Sequence, residues 1–257
     1  MTLIAITRGV SPALDRCELS WLPREPIDLE KAIRQHHAYE ECLRDLGASV
    51  ISLAPEPALP DSMFVEDPAV VVPEVAIITR MGAESRRAEA ESLAPVLARY
   101  RPVEYLREPA TLEGGDVLRI GRTLYVGRSA RTNTEGIRQL ISILSPFGYS
   151  VHAVPVDRCL HLKSAGSYLD ERTILANPEW IDTGIFEADS LRVVNVPAEE
   201  ARAANVLAIG RRVMVPAAFP KTGALLAQLG FAVRTIDISE LMKAEAGLTC
   251  SSILFAP

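Results

Sequence analysis

A cysteine near the carboxyl end of the chain is the first candidate for chemistry. Cys250 follows the turn signal of Gly247, and a free cysteine serves either as a buried apolar plug or as a nucleophile, depending on its surroundings. Cys159, His161 and Lys163 alternate in a segment with strand character, which predicts that their side chains share one face. His161 is therefore a candidate base for Cys250, with a core histidine as the structural alternative. A zinc site through Cys159, His161 and Cys250 is a further alternative, although it would need more ligands.

Three acids stand close together before an apolar run. Asp61, Glu66 and Asp67 fall within seven positions, directly ahead of residues 69–72. Adjacent carboxylates repel each other unless a cation or several donors face them, so the pattern predicts a cation-binding site. A turn role for Asp61 and an ordinary residue before Pro68 are the structural alternatives.

A second acidic cluster and two arginines complement the first. Paired glycines at 114–115 lie between Glu113 and Asp116, where they allow backbone to approach a ligand or a neighbouring loop closely. A glycine hairpin with solvated acids is the alternative. Arg86 and Arg131 lie near the starts of two predicted helices, where they either balance surface charge or bind a carboxylate in bidentate fashion.

The amino-acid composition indicates which classes of protein this chain resembles and which it does not. The chain has 257 residues, of which 48% are hydrophobic and 23% charged, as in a globular protein with a full core. A net charge of -6 and an aromatic fraction of 5% argue against nucleic acid as a partner. No apolar run approaches the roughly 20 residues that cross a bilayer, and the start lacks signal-peptide features. Four widely spaced cysteines predict reduced thiols, so we expect a cytoplasmic protein without a membrane partner.

The elements that must position these residues recur along the chain. A predicted helix from Asp28 is followed by Gly47 and a strand at 50–53, and the same helix, glycine, strand order returns around Gly148 and Gly230. Weaker copies between them, including a predicted helix over residues 85–99, bring the total to five units of about 50 residues. Such units bury their apolar faces by closing around a pseudo-fivefold axis.

An open doubly wound sheet is the competing architecture. It is disfavoured because the first strand lacks a glycine-rich turn after it and because two strands generally fall between successive helices. Since the sequence contains no linker or low-complexity segment, we expect a single α/β domain over residues 1–257.

The ordered motifs resemble those of the dimethylarginine dimethylaminohydrolases, which belong to the guanidine-modifying superfamily with arginine deiminases and amidinotransferases. The resemblance covers essentially the full chain and rests on Phe64-Val65-Glu66-Asp67-Pro68, Gly82-Ala83-Glu84-Ser85-Arg86-Arg87, Leu112-Glu113-Gly114-Gly115-Asp116, Ala130-Arg131-Thr132-Asn133, Leu160-His161-Leu162-Lys163 and Thr249-Cys250-Ser251. It implies a five-bladed α/β propeller, or pentein, with the active site in a central channel.

The resemblance also implies roles for individual residues. Cys250 would be the nucleophile, His161 the general acid and base, and Glu113 the residue that orients His161. Asp67 and Glu66 would bind the guanidinium of the substrate, and Arg86 and Arg131 would bind its α-carboxylate. Asp61 would bind the α-amino group, and Leu19 would cover the substrate.

The implied reaction is hydrolysis of Nω-methylated arginine to citrulline and dimethylamine or methylamine, through a covalent S-alkylthiouronium on Cys250. No metal or organic cofactor is expected, and the expected partner is a small guanidine, with a homodimer left open. Arginine deiminases typically carry an aspartate two positions after the histidine, where this chain has Lys163. A deiminase, or a related hydrolase or amidinotransferase acting on another guanidine or ureido compound, is the alternative, as is an inactive binding protein.

Overall fold

The computed structural model describes residues 3–257, so the first two positions of the expected domain lie outside it. The fifteen strands of this range are β1 Leu3–Arg8, β2 Ala48–Leu53, β3 Ala69–Val71, β4 Ala76–Ile78, β5 Val103–Tyr105, β6 Val117–Ile120, β7 Thr123–Arg128, β8 Ser150–Pro155, β9 Gly166–Asp170, β10 Thr173–Ala176, β11 Arg192–Asn195, β12 Leu207–Ile209, β13 Arg212–Pro216, β14 Ala232–Ile236 and β15 Ile253–Phe255. Its α-helices are α1 Leu29–Asp45, α2 Glu89–Leu97, α3 Thr134–Leu144, α4 Leu162–Ala165, α5 Gly184–Ala188, α6 Pro220–Gln228 and α7 Ser239–Met242.

The strands form five three-stranded sheets with one shared plan. Their orders are β15-β1-β2, β3-β4-β5, β6-β7-β8, β9-β10-β11 and β12-β13-β14. In each sheet the first strand pairs antiparallel with the middle strand, and a helix then crosses over to a parallel third strand. The five sheets confirm the expectation of five related α/β units. The first sheet joins the two ends of the chain, because Ile253 of β15 pairs with Ile6 of β1.

Local sequence explains how a unit is built. The Asp28 side chain accepts a hydrogen bond from the Lys31 amide and begins α1, whose inner face buries Tyr39 and Leu43. The recurring glycines Gly47, Gly148 and Gly230 have φ values of 97°, 74° and 84°. L-residues avoid this left-handed region, so glycine is the residue that turns the chain from helix to third strand.

The core lies within and between the sheets. Middle strands are buried on both faces, as Ile77, Leu124 and Val213 show with no exposed surface. Burying each such side chain contributes roughly 1.5–3 kcal/mol. The first strands of all five sheets line one cavity of about 540 Å³. Among residues 3–257, no helix has the length and apolar character needed to span a membrane.

Two local predictions were wrong. Residues 159–163 are not a strand, because α4 begins at Leu162, whose amide donates to Asp116 Oδ1 at 2.9 Å. His161 is the N-cap of that short helix, so it does not alternate with its neighbours on one strand face. The helix expected over 85–99 is shorter, since a 3-10 turn at Glu84–Arg86 precedes α2.

Candidate active site

The expected catalytic residues occupy equivalent places in different units. Asp67, Glu113, His161 and Cys250 each lie within five residues of the start of a first strand, namely β3, β6, β9 and β15. The candidate residues therefore lie at equivalent ends of four of the five repeated units.

His161 lies between two carboxylates. Its Nε2 is 2.7 Å from Glu113 Oε2, and its Nδ1 is 3.9 Å from Asp67 Oδ1. All three side chains are buried. Burial opposes protonation of His161, but Asp67, Glu113 and Asp116 outweigh it and raise its pKa to about 9. Burial alone would raise the pKa of Glu113, yet His161 and two arginines lower it to about 2.

The paired glycines allow this close approach. The Gly115 amide donates to Asp67 Oδ1 at 3.1 Å, and a Cβ at Gly115 would lie 2.5 Å from His161 Nδ1. A Cβ at Gly114 would lie 2.0 Å from the Glu66 carbonyl oxygen. The two loops therefore meet backbone against backbone, which confirms the close approach expected of this glycine pair.

Cys250 lies in a turn directly before β15 and is partly exposed. The Gly247 amide donates to its Sγ at 3.3 Å, and its carbonyl accepts from the Glu66 amide at 3.2 Å. Burial, together with the charges of Glu66 and Asp67, raises the pKa of the thiol to about 12. Glu66 and Asp67, which are adjacent in the sequence, thus link Cys250 to the cluster around His161.

Glu66 forms hydrogen bonds with side chains that the sequence analysis did not predict as its partners. Its carboxylate accepts from Lys163 Nζ at 2.6 Å and from Thr249 Oγ1 at 2.7 Å. Asn205 then donates to Thr249 Oγ1 at 3.1 Å and to the Lys163 carbonyl at 3.0 Å. Asn205 lies two residues before the first strand of the fifth unit, β12, and that position is the signal that could have identified it.

Arg86 is buried in a chain of ion pairs. Its guanidinium donates to Asp67 Oδ2 at 2.9 Å and to both oxygens of Glu89 at 2.9 Å. Burial raises the pKa of Glu89 to about 7 although Arg86 opposes the shift. Sequence analysis missed Glu89, whose spacing of three from Arg86 was the available signal.

The remaining substrate-binding candidates meet the segment that carries Leu19. Asp61 accepts from the Glu18 amide at 3.1 and 3.3 Å. Arg131 lies 3.3 Å from Glu113 Oε1 and donates to Ser20 Oγ at 3.0 Å. Leu19 itself is half-buried against a core cluster. The structure therefore brings Asp61, Arg131 and the Leu19 segment together.

The cluster has some character of a metal site. Ligand atoms of Asp67, Glu113 and His161 all lie within 4.8 Å of one another. The guanidinium groups of Arg86 and Arg131 already pair with the two carboxylates, which reduces the attraction for a metal cation. Cys159 directs its thiol to the His161 carbonyl at 3.3 Å. Of the three residues in the zinc alternative, only His161 belongs to this group of ligand atoms, which does not include Cys159 or Cys250.

Comparisons with known proteins agree on one family. A family model described as "N,N dimethylarginine dimethylhydrolase, eukaryotic" matches residues 15–214. N(G),N(G)-dimethylarginine dimethylaminohydrolase of Pseudomonas aeruginosa is 40% identical over 230 residues, covering 89% of this chain and 90% of the relative. The enzyme of the same name from Streptomyces coelicolor is 43% identical over 251 residues, covering 97% and 95%.

A solved structure gives the same result. The P. aeruginosa enzyme, as a cysteine-to-serine mutant complexed with citrulline, superposes with a TM-score of 0.94 at 37% identity. The match covers 99% of this chain and 100% of that one. The chain belongs to the dimethylarginine dimethylaminohydrolase family.

Proposed function

We propose that this chain is a cysteine hydrolase that converts asymmetric dimethylarginine or monomethylarginine to citrulline and dimethylamine or methylamine. The observation that carries the proposal is the buried cluster of Glu113, His161 and Asp67 beside the Cys250 turn. Relatives with 40% and 43% identity bear the name of this activity, and a related structure holds citrulline, the proposed product.

The substrate cation activates the nucleophile. Before it binds, Cys250 is a thiol, because burial, Glu66 and Asp67 raise its pKa to about 12. A guanidinium held by Asp67 and Glu66 offsets their negative charge and favours loss of the thiol proton to solvent. The Sγ thiolate then attacks the guanidinium carbon and forms a tetrahedral intermediate.

His161 transfers the remaining protons. Its raised pKa keeps it protonated at neutral pH, so it donates a proton to the departing amine as the C–N bond breaks. The neutral imidazole then takes a proton from water that attacks the S-alkylthiouronium. Cleavage of the C–S bond releases citrulline and restores Cys250. Glu113, at 2.7 Å, orients the ring throughout.

The amino-acid end of the substrate meets the other charged groups. We assign its α-carboxylate to Arg86 and Arg131, its α-amino group to Asp61, and the cover over it to Leu19. The contacts of Asp61 and Arg131 with residues 18 and 20 support this assignment, because they bring the covering segment onto these charges.

We further propose that the five sheets form the blades of a single-domain propeller over residues 1–257, with a central channel. The cavity lined by all five first strands supports this arrangement. All four cysteines are free thiols, which suits the reducing cytoplasm, and we propose that location.

Purified protein incubated with asymmetric dimethylarginine under reducing conditions is expected to produce citrulline and dimethylamine. Absence of product, with arginine turned over instead, would support the deiminase alternative. Lys163 supports the methylated substrate, because arginine deiminases typically carry an aspartate at this position as a second clamp on the guanidinium, and its loss leaves space around the departing nitrogen. A substrate panel of arginine, both methylated arginines and other guanidines, compared by kcat/KM, decides between them.

A further inference from the structure

A five-residue segment closes over the amino-acid end of the site. Residues 18–22, here named the cover segment, contact Asp61 through the Glu18 amide and Arg131 through Ser20 Oγ. The charged groups beneath are nearly inaccessible, since Asp61 has 4% of its surface exposed and Arg86 has 5%. Since the cover segment contacts Asp61 and Arg131 directly, its movement would change the access of a substrate to both groups.

A single carboxylate binds this segment from the opposite end of the sequence. Glu245 accepts the backbone N–H groups of Ser20 at 3.0 and 3.1 Å, of Leu22 at 2.6 Å, and of Trp21 between them. Within residues 3–257, no backbone carbonyl accepts from these three amides. Three successive amides facing one anion form a nest, and a charged acceptor makes its hydrogen bonds strong.

The apolar residues of the cover segment differ in burial, since Leu19 and Leu22 are half-buried, Leu19 against a core cluster. Trp21 has 52% of its surface exposed. A cavity of about 190 Å³ adjoins Trp21, Leu22 and Glu245, and it is also lined by Cys159 and Gly247. Among residues 3–257, the amides of residues 20–22 donate only to Glu245, so the backbone position of these three residues depends on its carboxylate.

The backbone of Glu245 is itself unusual. Its φ is 59°, in the left-handed region that residues other than glycine and asparagine rarely adopt. Strained residues of this kind persist where the surrounding structure requires them. Glu245 also lies two residues before Gly247, whose amide donates to Cys250 Sγ. The same turn therefore holds both the cover segment and the nucleophile.

We propose that Glu245 is a positioning residue that latches the cover segment over the bound substrate and sets how often the site opens. The inference rests on the proposed function for its kinetic consequence, but the latch itself is a structural property of the free protein. Closure by the latch excludes water and completes the binding site, as covering loops do in other enzymes.

Three variants test the latch. Glu245→Gln keeps the size of the side chain but removes its charge, and Glu245→Gly suits the left-handed backbone while it removes the side chain. Glu187→Gln, on an exposed face of α5, is the matched control. Hydrogen exchange of the peptide that contains residues 18–22, followed by mass spectrometry, reports opening without any need for turnover.

We expect exchange at residues 20–22 to be at least about tenfold faster in Glu245→Gly, with a smaller rise in Glu245→Gln and none in the control. Alkylation of Cys250 by iodoacetamide should accelerate in the same order. The KM for asymmetric dimethylarginine should rise roughly tenfold or more, and proportionally more than kcat falls.

Unchanged exchange in both Glu245 variants would overturn the latch, even if turnover fell. A wild-type protein that makes no citrulline from either methylated arginine would instead overturn the proposed function. In that case the exchange measurement still decides the latch, so the two failures are distinguishable.

Discussion

Asp67 already binds a guanidinium group in this protein, that of Arg86. The Nη1 atom of Arg86 lies 2.9 Å from Asp67 Oδ2, while Oδ1 faces the Gly115 amide and His161. Carboxylates bind planar guanidinium groups well because the donors match their geometry. The contact shows that the Asp67 carboxylate accepts from a guanidinium group, and a substrate guanidinium would share this carboxylate with Arg86.

The nucleophile assignment predicts a selective loss of activity. Cys250→Ser should lower citrulline formation from asymmetric dimethylarginine by about 10³-fold or more, because a hydroxyl is a far weaker nucleophile than a thiolate. Binding of the substrate, measured by calorimetry, should persist. Cys42→Ala, at a buried position within α1, is the control that should retain turnover. Equal activity of wild type and Cys250→Ser would reject the assignment.

The raised pKa of His161 makes stability depend on pH. A folded-state pKa of about 9 lies above the usual 6.5, so its contribution is complete below pH 6.5 and is lost as pH rises through 9. Relative to His161→Gln, the wild type should lose on the order of 3 kcal/mol of unfolding free energy between pH 6 and 10. Urea titrations of both proteins measure this difference. A difference that stays constant across this range would contradict the proposed ion pairs.

Loop contacts determine the catalytic geometry as much as the side chains do. A Cβ at Gly115 would overlap both His161 Nδ1 and Asp67 Oδ1, at 2.5 and 2.7 Å. Gly115→Ala should therefore separate the pair and lower kcat/KM by roughly 10²-fold. Gly121, with φ of 60° and open space around it, is the matched site. Gly121→Ala should cost about 1 kcal/mol of stability while activity, measured as citrulline release, remains.

The short helix α4 shows where local prediction fails. Residues 159–163 alternate in a way typical of a strand, yet Asp116 accepts the Leu162 amide and begins a helix. Asp116 is 46 residues away in the sequence, so no local pattern contains this contact. In contrast, α1 was predicted well, because its cap, its apolar face and its terminal glycine are all local signals.

The pairing of the last strand, β15, with the first strand, β1, allows a prediction about the stability of the fold. Ile253 of β15 is buried and its neighbour Leu254 is half-buried, while both pair with β1 and line the cavity of about 540 Å³. Ile253→Ala should cost roughly 2–5 kcal/mol, and Leu254→Ala clearly less, in urea unfolding at pH 7. Because both residues pair with β1, equal costs would contradict the stated difference in burial between the two side chains.

The sequence by itself determined the repeated α/β unit, the glycines between its elements, and the candidate residues of the site with their chemical types. These features depend on local periodicity, on backbone preferences at single positions, and on ordered motifs. The resemblance to one family, and the roles it implies, also followed from those motifs.

Tertiary structure decided which charged groups meet. Glu113 and His161 are 48 residues apart, Glu66 and Thr249 are 183 apart, and Glu245 is 225 residues from Ser20. A buried charge must find a partner because its desolvation is costly, but the sequence does not state which partner the folded chain supplies. Those pairings, together with the closure of β15 on β1, exist only once all five units are packed.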